Sequence, residues 1–155
     1  AAVRGWMEQL ADGGRYDIGQ ANLQRVQQTF WADWADDART AAAIRKVYEE
    51  KKYIPDTHTA VAWDVAMKYQ TQTGDKCPMV IVSTASPYKF NDSVLQALGI
   101  SVEGVDALDM LDKLAVVNPV KAPRGLAALR TAQVLHNGVC GKAEMQGAVV
   151  DCVRK

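Results

Sequence analysis

Charge of one sign is what this chain most plainly lacks: 18 Lys+Arg stand against 18 Asp+Glu in 155 residues. General nucleic-acid and acidic-membrane binders carry a basic excess, so neither kind of partner is expected. Long apolar runs are missing too, and none approaches the roughly 18–20 residues needed to span a bilayer. Cysteine is scarce: Cys77, Cys140 and Cys152 are odd in number, widely spaced and without a C-x-x-C pair. That argues against a disulfide scaffold and for a reducing, cytoplasmic setting. The start, Ala1-Ala2-Val3-Arg4, has no signal-peptide architecture and no initiating Met, and reads as an excised or processed end. Histidine is limited to His58 and His136. His136 and Cys140 have the i, i+4 spacing of two ligands on one helix face. There is no second pair, and Asn137-Gly138 interrupts the helix between them, so no metal site is expected. Gly138 to Lys142 fails as a phosphate loop twice, with His136 at the first glycine position and Ala143 where Ser or Thr belongs.

What remains is the composition of one soluble globular domain, 48% apolar and 23% charged. Apolar spacing predicts about eight helical segments. Val3, Trp6, Met7 and Leu10 form an amphipathic stripe stopped by Asp12-Gly13-Gly14. Leu23, Val26 and Phe30 mark a second helix, followed by an acidic, aromatic connection from Trp31 to Asp37. A third opens near Asp36 or Asp37, carries Ala41, Ile44, Val47 and Tyr48, and ends before Pro55. Asp56-Thr57-His58-Thr59 reads as an N-cap cluster for a helix with Ala62, Ala66 and Tyr69 on one face, and residues 70–77 as a turn. Later helices carry Val94, Leu95 and Leu98 after Pro87, then Val105, Leu108 and Leu111, then open near Pro123, and end with Met145, Val149 and Val153.

Met79-Val80-Ile81-Val82 differs from all of these. It is a short apolar run rich in β-branched residues, closed by the Ser83-Thr84 corner, and predicts one buried strand over 79–84. Such a strand needs neighbours on both edges. Either some helices hide strands, or the chain is part of something larger. Ligands in open α/β sheets collect beyond the carboxyl ends of strands, where small hydroxyl residues let them approach. The alternative is a plain turn with Ser/Thr capping.

Two stretches carry a family resemblance. Ser83-Thr84-Ala85-Ser86-Pro87-Tyr88-Lys89-Phe90 resembles the carboxyl-terminal signature of threonine synthases. Asp56-Thr57-His58-Thr59-Ala60-Val61 resembles the family's Asp-Pro-His-Thr-Ala-Val stretch, with Thr57 where Pro is usual. The resemblance covers most of residues 3–98. It implies an α/β enzyme of the tryptophan-synthase-like (fold type II) class that uses pyridoxal 5'-phosphate to convert O-phospho-L-homoserine and water into L-threonine and phosphate. The family's Schiff-base lysine lies in a Ser-Phe-Lys-Asp-like motif. None of the ten lysines here has a Ser-x-Lys-Asp context, so residues 1–155 read as a single carboxyl-terminal segment that is inactive alone.

Carried over residue by residue, Thr84 matches the hydroxyl partner of the cofactor's pyridine nitrogen, with Ser83 beside it. Asp56, His58, Thr59 and Lys89 are the candidates for the substrate phosphate, since helix N-termini suit anions. His58 has a capping or packing role as its alternative. An orphaned strand also implies self-association of the excised segment. The rival function is a non-catalytic helical interaction domain that uses Trp6, Phe30, Trp31 and Trp34 as contact residues.

Overall fold

Alternation of apolar stripes with strong helix stops is what organises the backbone. The computed structural model describes residues 2–154. Its α-helices are α1 (Ala2–Gly13), α2 (Gln20–Gln27), α3 (Asp37–Lys51), α4 (Thr57–Thr73), α5 (Asn91–Ala97), α6 (Ala107–Val117), α7 (Arg124–Ala128) and α8 (Met145–Val153). A short 3₁₀ turn, Pro87–Phe90, leads into α5.

Helix α3 opens where Asp36 accepts from the Arg39 amide, 2.8 Å away. Its stripe Thr40, Ala43, Ile44 and Val47 is buried, which is the i, i+3, i+4, i+7 pattern of a core-facing helix. It closes at Lys52 in the left-handed conformation, φ 55°. Ile54 and Pro55 follow as buried links, and the fixed ring of Pro55 keeps the chain extended before α4 begins. Helix α4 runs to Thr73 and stops at Gly74, φ 71°, a conformation that costs glycine little. The expected turn over 70–77 is therefore shorter, because the helical bonds persist to the first glycine.

Helices α3 and α4 pack against each other, α3 also meets α5, and α5 meets α6. The core between them holds Ile44, Ile54, Val94, Leu95 and Leu114, all essentially sealed from solvent. Around it lie the edges of the matter: α1, α2, α7 and α8 bury no residue. The stripe on α1 is present but leaves Val3 and Met7 exposed. Phe30 falls outside α2, beyond its C-cap at Gln28.

The buried strand at 79–84 is not there. Among the described residues the structure has no strand and no sheet, so its class is helical rather than α/β. The segment has no regular secondary structure, and Val80 and Val82 are 88% and 69% exposed. β-branched residues favour extended backbone. A ladder needs partner strands as well, and no described residue supplies one.

Candidate functional site

The chemistry-bearing residues meet where α4 begins. Asp56 is its N-cap and is wholly buried. Its Oδ1 accepts from the His58 amide at 2.9 Å and the Thr59 amide at 3.4 Å, satisfying two donors that a helix start leaves orphaned. Its Oδ2 accepts from the Thr59 hydroxyl. The imidazole Nδ1 of His58 lies 3.2 Å from Oδ1, and most of the His58 side chain remains in solvent.

Burial alone pushes the Asp56 carboxyl upward, but the hydrogen bonds from the Thr59 hydroxyl, the two amides and His58 outweigh it. The group is held below the ordinary carboxylate range. The sign follows for stability. A depressed folded value makes ionised Asp56 stabilising above its unfolded value, near 3.9, and that contribution disappears as pH falls through the folded value. Between about pH 5 and about pH 2 the wild type should therefore lose more melting temperature than Asp56→Asn, which has nothing to titrate at this position. Parallel acid melts check this, and equal losses contradict it.

The corner at 83–84 comes to this cap. Thr59 Oγ1 is 3.2 Å from Ser83 Oγ, and the Tyr53 hydroxyl is 3.2 Å from the same Ser83 oxygen. Ser83 is thus tied to protein groups on both sides. Thr84, one residue on, is exposed. Capping of the Pro87 turn falls to Ser86, whose hydroxyl accepts from the Tyr88 amide at 3.4 Å. The plain capping role weighed for this corner therefore belongs to Ser86, not Thr84. Tyr88 is buried and donates to the Val120 carbonyl at 2.8 Å, anchoring the turn to the loop after α6.

Phe90 joins the other two candidates. The His58 ring sits 5.0 Å from its centroid, and Lys89 Nζ lies 5.7 Å from the same ring. His58 and Lys89 thus border one aromatic ring. A cavity of about 300 Å³ opens beside the hydroxyls, with Pro55, Trp63 and Ile81 as apolar walls and Tyr53, Thr59 and Ser83 as polar ones. A larger cleft, about 780 Å³, lies between Trp31, Tyr69 and Met79–Val82. Its one charged group, Asp75, already accepts from the Tyr69 hydroxyl and the Cys77 amide. Of the candidate site residues, Thr59 and Ser83 line the smaller cavity.

Sequence reasoning missed Tyr53, which reaches Ser83 across 30 residues with no motif to signal it. It also gave Phe90 no role beyond its place in the motif. The aromatic set of the interaction reading is scattered. Trp34 and Phe30 are exposed, Trp31 packs edge-on against Tyr69 at 5.5 Å, and Trp6 stacks on Tyr16 at 6.5 Å. His136 and Cys140 lie in an irregular exposed stretch, and no group of three metal-ligating side chains occurs among the described residues. No described helix is long and apolar enough to cross a membrane.

Residues 59–132 match the family model of the threonine synthase carboxyl-terminal domain, a span that takes in Thr59, Ser83, Thr84 and Lys89. The chain is thus similar to the carboxyl-terminal segment of threonine synthases. It is 42% identical over 85 residues to human threonine synthase-like 1, covering 55% of this chain and 11% of that protein. It is 32% identical over 101 residues to the threonine synthase of Eremothecium gossypii, covering 62% and 20%. A crystal structure of PLP-bound threonine synthase from Brucella melitensis superposes with a TM-score of 0.58 at 33% identity, over 70% of this chain and 23% of that one. The chain thus spans less than a quarter of each of these threonine synthase relatives.

Proposed function

We propose that residues 1–155 serve as the carboxyl-terminal part of a pyridoxal-phosphate enzyme that converts O-phospho-L-homoserine and water into L-threonine and phosphate. The observation that carries this is the corner within the matched span: Ser83 is pinned to α4 while Thr84, beside it, is exposed. We assign Thr84 to the cofactor's ring nitrogen. Ser83 has its hydroxyl occupied by Thr59 and Tyr53, so it holds the corner rather than the ring.

The cofactor supplies an electron sink when bound, and the protein tunes it through the partner of the ring nitrogen. A threonine hydroxyl hydrogen-bonds there without protonating the ring as an aspartic acid would. His58 and Lys89, set around Phe90, are the groups offered to the substrate phosphate. No lysine of this chain stands in a Ser-x-Lys-Asp context, and covalent catalysis needs that amine positioned against the cofactor.

Phosphate release from O-phosphohomoserine, with added pyridoxal phosphate, tests the reading. Residues 1–155 alone should not exceed a boiled control, whereas a polypeptide joining them to the lysine-bearing part should turn over. Turnover by the 155 residues alone overturns the segment reading. Cofactor absorbance in the joined polypeptide with no phosphate release overturns the substrate.

A further inference from the structure

The Thr59 hydroxyl beside Asp56 can be oriented by counting protons. A carboxylate only accepts, and each hydroxyl has one proton to give. Thr59 gives its proton to Asp56 Oδ2. The same hydroxyl is directed at Ser83 Oγ as well, in a longer second branch of 3.2 Å. Ser83 Oγ in turn shares a 3.2 Å contact with the Tyr53 hydroxyl in which either group can donate. The contacts link Asp56, Thr59, Ser83 and Tyr53 in that order. The same logic applies to the imidazole: facing an acceptor at 3.2 Å, His58 donates from Nδ1.

We propose that Asp56 is the positioning residue of this site, with two arms. Through Thr59 it fixes Ser83, and so the adjacent Thr84. Through its other oxygen it fixes the tautomer and aim of His58. One buried carboxylate, wholly screened from solvent, thereby holds the Thr59 hydroxyl, the Ser83 corner beyond it and one ring. The use of Thr84 rests on the proposed function, but the linkage does not, because it is a property of this chain without cofactor or substrate.

Heteronuclear NMR on the 155-residue chain tests both arms. At about pH 8, above the ordinary histidine range, ¹⁵N shifts should place the His58 proton on Nδ1, with exposed His136 as the internal reference. A proton on Nε2 of His58 overturns the imidazole arm. Thr59→Val keeps the shape but removes the middle link. Backbone order parameters at Ser83 and Thr84 should then fall from about 0.85 toward 0.6 or below, with α5 and α6 unchanged. Thr59→Ser, which keeps the hydroxyl, should restore them. Unchanged values at 83–84 in Thr59→Val, a fall spread equally over α5 and α6, or a failure of Thr59→Ser to rescue overturns the hydroxyl arm. None of these readouts involves the cofactor, so their failure is distinguishable from failure of the enzyme reading.

Discussion

Thr84→Val, made in the joined enzyme, should lower kcat/KM by roughly tenfold to a hundredfold while the melting temperature barely moves. Valine matches the shape of threonine and removes the hydroxyl. A ring nitrogen left without its partner in a partly dry site loses a hydrogen bond worth on the order of 1–3 kcal/mol, which converts to that range of rate when felt in the transition state. Stability should be spared because Thr84 is exposed and Ser86, not Thr84, caps the Pro87 turn. Two companions sharpen the result. Thr84→Ser keeps the hydroxyl and should retain most activity. Ser86→Ala removes the actual cap and should cost about 1 kcal/mol of stability with turnover nearly intact. Steady-state kinetics and thermal melts on the three variants decide it. If Thr84→Val leaves kcat/KM unchanged, Thr84 does not face the ring.

The contrast between Thr84 and Ser86 shows what could be read from residues and what could not. Helices were legible because their signals are local: Ile44 and Val47 repeat on one face, Asp36 and Asp56 stand where a helix needs an acceptor, and Pro55 forbids continuation between them. The strand at 79–84 was misread for a related reason. A run such as Val80-Ile81-Val82 specifies extended backbone, but burial and pairing depend on what lies beside it, and Val80 lies in the open. The same holds for α1, whose stripe asks for a cover that no described residue supplies. At the site, Asp56, His58 and Thr59 are contiguous and were found together. The joining of Ser83 to Thr59 over 24 residues, and to Tyr53 over 30, has no sequence period and needed the fold.

Asp56→Ala should be the most damaging of the three aspartate-cap substitutions in this chain, at about 2–4 kcal/mol. Asp36, Asp56 and Asp106 are all N-caps in extended conformation, so residue type and local geometry are held constant. Asp36 accepts from the Arg39 amide and Asp106 from the Leu108 amide, each at 2.8 Å and each in solvent. Water replaces those acceptors when the side chain is cut back, so each alanine should cost only about 1 kcal/mol. Asp56 is sealed. Its removal takes the acceptor from two amides and leaves the buried Thr59 hydroxyl only its longer contact with Ser83, adding a desolvation penalty of up to about 1–3 kcal/mol. At this chain length the cost at Asp56 reads as a drop of roughly 4–16 °C in melting temperature. Asp56→Asn keeps a cap oxygen and should recover much of it, because asparagine caps about as well as aspartate. Melts of the alanine series, with the asparagine variant beside it, give the ranking. Equal costs at all three positions would mean that Asp56 is a helix cap and nothing more.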